Sequence, residues 1–332
     1  MKKVRLDIII LALATILVLF FVLKDDFNDI VKILLNINVL YIIIAVLLYA
    51  VSDAFKAIGL YVTVKPFNMS YKFKYAYKLN LVSDFLNGVT PFCAGGGPYQ
   101  VYYLSKNHNI SYAKGTSIVF QNFFMRQIAL VIICSIAILI NEIHTFIPLD
   151  SFLKHLVLLG HLVNIIIAIV LLLINIDRRG KKSLIKSIIK FLLKIKLIKE
   201  KTFDKAISYM DNFYETQVYI RKQKHVQLKV FISYFVSLTL MFLVPIMVFN
   251  AIDVSVHLPI FSYIIPIIYV YILGGFVPIP GGTTGYEFGF ITFFGFFLGG
   301  PILKAGMLLW RVVTYYFLVI IGAIVFLIDR KE

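Results

Sequence analysis

Three features predict an all-α, polytopic membrane protein. Of the 332 residues, 60% are hydrophobic and the mean hydropathy is +0.90, whereas soluble domains are nearer half apolar. The apolar residues come in continuous runs of about twenty, the length that crosses a hydrocarbon core of roughly 30 Å; a membrane β-barrel would alternate apolar and polar residues instead. Two apolar segments are also interrupted by clustered Pro and Gly, in "TPFCAGGGPYQ" (90–100) and "GGFVPIPGGTTGYEFG" (274–289). The expected architecture is a single integral membrane domain, 1–332, with about six full spans and two broken hairpins, or about eight helices if the hairpins cross fully.

The full spans are expected at 6–23, 39–64, 115–140, 152–176, 230–250 and 303–328. The first could pass for a signal peptide. Its run Leu6–Leu23 is long for that, and no small-residue cleavage site follows, so it reads as a retained span. Lys2, Lys3 and Arg5 place the N-terminus inside, and Lys65, Lys72, Lys74 and Lys78 place the end of the second span inside as well. The first broken segment, 75–105, lies between those lysines and Lys106 and Lys114, so both of its ends face inward. The loops "NEIHTFIPLD" and "AIDVSVHLP" read as outside, and the final "DRKE" as inside. The second broken segment, 259–298, then starts and ends outside. The two segments enter from opposite faces, as re-entrant hairpins or as pairs of spans; parity is the same either way.

The breaks also share a spacing. Thirty residues separate Gly96 from Arg126, and 29 separate Gly282 from Arg311. This suggests an inverted repeat, with a first core at 65–140 broken at 90–98 and a second at 259–328 broken at 278–285. Transporters built this way bind substrate at their broken helices. Backbone freed by a break inside hydrocarbon needs cover from protein or a water-filled cavity. N–H groups at a helix start can hold an anion. Gly95, Gly96 and Gly97 at one break, and Pro280, Gly281 and Gly282 at the other, are therefore candidate binding positions.

Ionisable residues within apolar spans are costly and mark functional sites by default. Asp53 and Lys56 lie three apart on one helix face, Asp84 precedes the first break, Glu287 follows the second, and Arg126 and Arg311 sit inside later spans. Asp53 with Lys56 also fits a structural ion pair. Arg126 lies in "QNFFMRQ", with Gln121, Asn122 and Gln127 as nearby donors; its planar fork suits phosphate. Arg311 with Glu287 fits a gate or an ion pair.

The formal net charge is +16, and 15 Lys and Arg against 5 Asp and Glu fall between Asp177 and Lys229. No nucleic-acid motif accompanies them, so the excess reads as positive-inside signal and attraction to anionic lipid. This basic cytoplasmic loop, 177–229, contains Lys186, Lys190 and Lys194 opposite Leu184, Ile185, Ile188, Ile189, Leu192 and Leu193. That pattern is a basic amphipathic helix lying on the inner leaflet. Cys93 and Cys134 form no CxxC, and the six histidines form no metal-binding pair. No metal, cofactor or nucleic-acid partner is expected.

"TPFCAGGGPYQVYYLSKNHNISYAKGTSIVFQNFFMRQ" and "GGFVPIPGGTTGYEFG…LLWRVVTYYF" resemble the lysylphosphatidylglycerol synthase transmembrane-domain family, over about residues 5–328. This is the membrane half of the bacterial multiple peptide resistance factor. The resemblance implies a lipid flippase in a bacterial cell membrane, contributing to cationic antimicrobial peptide resistance. A separate cytosolic domain of such proteins transfers lysine from lysyl-tRNA to phosphatidylglycerol. The Gly95–Gly97 and Pro280–Gly282 breaks match the family's two Pro/Gly motifs, Glu287 its acid and Arg311 its last-helix arginine. Arg126 matches an arginine that in many members follows a glutamate. Here Met125 precedes it, which leaves Arg126 freer to meet a lipid phosphate. Between the last span and Glu332 there is no room for a transferase domain, nor in a basic loop of about fifty residues. The expected activity is therefore movement of phosphatidylglycerol, lysylated or not, or of a related lipid between leaflets, alongside a lipid-modifying enzyme as partner. The alternatives are a phosphatidylglycerol lysyltransferase acting with a separate catalytic domain, and a small-solute transporter.

Overall fold

A computed structural model describes residues 26–176, 200–252, 258–275, 280–282 and 284–329. The expected first span at 6–23, the amphipathic helix around 184–194, most of the 251–259 loop, Pro278 and the C-terminal "RKE" lie outside the described residues. Among the described residues every regular element is helical. Five helices are long and apolar enough to cross a membrane: α2 (Val39–Val64), α5 (Tyr112–His144), α6 (Ser151–Asn175), α8 (Lys224–Ile252) and the composite segment Gly300–Asp329. They coincide with five of the six expected spans.

Short polar residues start these helices by taking backbone N–H groups left over at their ends. Asn38 accepts from the N–H of Leu40 at 3.1 Å, and Asp150 accepts from that of Leu153 at 2.7 Å. Helix α2 packs most closely on α8. Small residues let the backbones approach, as membrane helix pairs require. Ser52 donates to the Ser237 carbonyl at 2.7 Å, and a Cβ at Gly59 would stand 2.9 Å from the Tyr234 ring. Ahead of α2, the short α1 (Phe27–Leu35) buries Ile30 and packs on the start of the last segment, where Asp26 pairs with Lys304 at 2.6 Å.

The first broken segment is a hairpin of α3 (Phe73–Val89) and α4 (Gly96–His108), with a one-turn tip at Pro91–Cys93. The second is α9 (Phe261–Gly274) and α10 (Gly285–Phe294), with its tip at Pro280–Gly282. At about 1.5 Å per residue, arms of 17, 13, 14 and 10 residues reach from about 25 down to about 15 Å, short of a ~30 Å core. The two tips touch each other. Both hairpins are therefore re-entrant. Their open ends lie at opposite ends of the 33-residue α5: α4 leads directly into its start, while beyond its end Phe146 packs in a tilted arrangement on Phe261, at the mouth of the second hairpin, with ring centroids 5.2 Å apart. The opposed-entry reading holds.

Two features were not legible beforehand. The basic loop carries a polar helix, α7 (Glu200–Lys222), that docks on α5: Gln217 donates to the Ser117 carbonyl and Ser117 to that of Phe213, both at 2.8 Å. The last span is not one regular helix. It runs as α11 (Gly300–Arg311), a π-helical turn at Val312–Tyr316, and α12 (Phe317–Asp329). Such widened turns are frequent at functional sites.

Candidate functional site at the hairpin tips

The two breaks are built differently. At the second tip Gly281 and Gly282 take φ of +66° and +61°, the left-handed region where a Cβ is penalised. A Cβ on Gly281 would also strike the Tyr315 ring, and one on Gly282 the Tyr286 ring. At the first tip the left-handed residues are Phe92 and Cys93, at φ of 56° and 52°. The glycines there serve close packing instead: a Cβ on Gly96 would lie 2.6 Å from the Ser83 carbonyl oxygen. A Cβ on Gly97 would meet only Val119, at an ordinary contact distance of 3.7 Å.

The expectation that N–H groups around Gly95–Gly97 stand ready for an anion needs correction in this conformation. Gly95 N–H donates to Thr90 Oγ1 at 2.9 Å, and Gly96 N–H to Asn87 Oδ1 at 2.8 Å. The hairpin caps its own break. Asn87 and Thr90 were missed in the sequence. A polar side chain just ahead of a Pro/Gly break is the signal that could have found them, because the freed donors must go somewhere.

The ionisable residues form two clusters. Lys56 lies between two carboxylates, 3.0 Å from Asp53 and 2.6 Å from Asp84, and Asn80 donates to Asp53 at 2.8 Å. Asp53 is fully buried with its second oxygen unpartnered, whereas the Asp84 side chain is 20% exposed. In the second cluster Arg311 Nε lies 2.7 Å from Glu287 Oε1, and both residues are buried. The Nε–H does not point along that line, so the contact is an ion pair rather than a hydrogen bond. Glu287 also closes a capping box, accepting from the Thr284 N–H at 2.5 Å. One acid thus starts α10 and neutralises Arg311. The guanidinium carbon stands 4.3 Å from the Tyr315 ring centre, which adds a cation–π contact.

Between the clusters, where the tips meet, is a cavity of about 140 Å³ lined by Asp84, Asn87, Cys93, Gly281, Arg311 and several tyrosines. Tyr315 bridges the repeats by donating to the Gly88 carbonyl at 3.0 Å. Asp53, Glu287, Gly95, Gly96, Gly97 and Gly282 stand outside this lining. The lining tyrosines Tyr49, Tyr271, Tyr286 and Tyr315 had no sequence signal, because 20 tyrosines are spread along the chain.

Arg126 also stands outside the lining. Its charge nevertheless acts on Cys93, Tyr49, Tyr271 and Tyr286, which places it beside the tips. It is half-buried and, among the described residues, has neither an ion pair nor a hydrogen bond. Its expected companions are committed elsewhere. Gln127 donates to Asn164 Oδ1 at 3.0 Å, Asn175 donates to Gln121 at 3.1 Å, and Tyr234 donates to Asn122 at 3.1 Å. They tie α5 to α6 and α8 instead of widening a donor set around Arg126.

Opposed re-entrant hairpins meeting over a polar, charge-lined cavity define a polytopic membrane protein of inverted-repeat design. The chain belongs to the lysylphosphatidylglycerol synthase TM region family, whose model matches residues 8–322. It is also 29% identical over 109 residues to a UPF0104 membrane protein of Methanocaldococcus jannaschii, a match covering 32% of each chain. The aligned part thus spans about a third of that relative's length. No solved structure matches.

Proposed function

We propose that the protein moves an anionic phospholipid, phosphatidylglycerol or its lysyl ester, between the leaflets of a bacterial cell membrane. The observation that carries this reading is Arg126, an unpartnered cation within an apolar span, beside hairpin tips whose other charges are paired. A buried arginine costs less when an anion approaches it, and a guanidinium fork fits a phosphate. The lysyl ester would add an ammonium group, for which the partly exposed Asp84 is the accessible carboxylate. Membership of a lipid-related family supports the substrate class.

The cavity of about 140 Å³ is smaller than the roughly 300 Å³ at which ligand sites begin. This conformation is therefore read as closed to a whole headgroup. Opening requires the tips to part, and the contact between the repeats that would yield is Tyr315 on Gly88. The headgroup would pass between the hairpins while the acyl chains stay in lipid. On this reading both termini would lie on the cytoplasmic, lysine-rich side. Resistance to cationic peptides would follow if lysylated lipid reached the outer leaflet, and an enzyme that lysylates the lipid would be the partner.

Leaflet exchange in proteoliposomes tests the reading, with labelled phosphatidylglycerol compared against lysyl-phosphatidylglycerol. Wild-type exchange above empty liposomes that collapses in Arg126→Ala supports it. Folded wild type with no exchange of either lipid refutes it.

A further inference from the structure

A second, larger cavity lies away from the tips, at the open end of the first hairpin. It measures about 900 Å³ and opens between the start of α3, the end of α4 and the end of α12. Lys74, Lys78 and Lys106 line it against one carboxylate, Asp329, which pairs with Lys78 at 2.5 Å. Lys74 and Lys106 have no carboxylate partner among the described residues. Their ammonium groups stand 5.2 and 5.7 Å from the ring centres of Tyr75 and Tyr102.

The positive-inside tendency accounts for lysines at this face, but not for the rest of the arrangement. The lysines surround a concavity with an aromatic wall, whereas snorkelling lysines need only reach water. His108 forms part of this wall, its ring held 5.2 and 5.6 Å from those of Tyr75 and Tyr103. Its Nε2 is buried and has no hydrogen-bond partner. A buried ring nitrogen without a partner is uncommon and calls for one. The first turn of α3 contributes Lys74 and Tyr75, so the positive end of that helix adds to the lysines. The volume suits a ligand larger than phosphate alone.

We propose that this cleft docks the phosphorylated headgroup of an anionic lipid at the lysine-rich face. Lys74 and Lys106 hold the phosphate, and His108 Nε2 takes a headgroup hydroxyl. The choice of a lipid as the source rests on the lipid-transport reading above. The cleft itself requires only a phosphate ester carrying hydroxyls.

The test is binding to the full chain in detergent by microscale thermophoresis. Probes are dioctanoyl phosphatidylglycerol, dioctanoyl phosphatidylcholine and soluble sn-glycerol 3-phosphate. Wild type is expected to favour phosphatidylglycerol over phosphatidylcholine by at least about tenfold. The Lys74→Gln/Lys106→Gln variant should weaken phosphatidylglycerol by about tenfold or more, since each charged contact is worth about that much. Both lysines are surface-exposed, so the variant should melt with wild type. Competition by sn-glycerol 3-phosphate at matching concentrations would support the site and assign it to the headgroup without its chains. Equal binding of phosphatidylglycerol by the double variant and wild type, or no preference over phosphatidylcholine, overturns the proposal. Intact binding with no leaflet exchange in wild type would leave the cleft standing and remove the transport reading alone.

Discussion

Glu287→Gln separates charge from shape at the second tip. Glutamine keeps the length of the side chain and can still accept from the Thr284 N–H, so the start of α10 survives. What it removes is the counter-charge 2.7 Å from Arg311. Both side chains are about 95% buried, so water cannot screen the orphaned guanidinium. Leaving one member of a buried pair uncompensated costs about 3–5 kcal/mol, whereas removing both members is often nearly neutral. The Tyr315 cation–π contact is present with or without Glu287, so it leaves the difference unchanged. The expected loss is therefore about 3–5 kcal/mol, and Glu287→Gln/Arg311→Met should recover most of it. Equilibrium unfolding in mixed micelles across the double-mutant cycle measures the coupling. A single-variant loss below about 1 kcal/mol, or strictly additive losses, would refute the argument that the pair is held as one desolvated unit.

Three further outcomes follow from the tips and their surroundings. Gly281→Ala should abolish folded protein, because it meets both a left-handed φ and the Tyr315 ring, whereas Gly97→Ala should melt within about 1 kcal/mol of wild type; yields in size-exclusion chromatography and melting curves check this. Arg126→Ala should lose leaflet exchange by tenfold or more while its melting temperature stays at or above the wild-type value, since no ion pair or hydrogen bond is broken among the described residues. A loss of stability would place Arg126 in the scaffold. In a Cys93→Ser/Cys134→Ala background, Lys114→Cys and His144→Cys, both at exposed positions on α5, should react with an impermeant maleimide from opposite sides of the membrane; labelling from one side would break the opposed-hairpin arrangement.

The spans were legible because a hydrocarbon core imposes a length and a composition on any helix that crosses it. Five of the expected spans recur as helices within a few residues of their expected bounds. The breaks were legible because Pro and Gly are costly inside a helix. Their opposed entry followed from lysines that mark one face. Candidate residues such as Asp53, Asp84, Glu287 and Arg311 stood out because charge in an apolar run is expensive wherever it lies.

Tertiary structure alone decided how those charges are used. Whether the hairpins span or re-enter depended on their tips meeting, a contact between segments nearly two hundred residues apart. Pairing of Lys56 with Asp84, and of Tyr315 with Gly88, likewise joins residues 28 and 227 positions apart. Nothing in local periodicity encodes such distances. The same holds for Gln121, Asn122 and Gln127, which hydrogen-bond to other helices and leave Arg126 alone. Sequence composition states which polar groups must find partners in a medium without water. Only the packing of the helices states which partner each one finds, because that choice depends on which backbones can come within hydrogen-bonding reach.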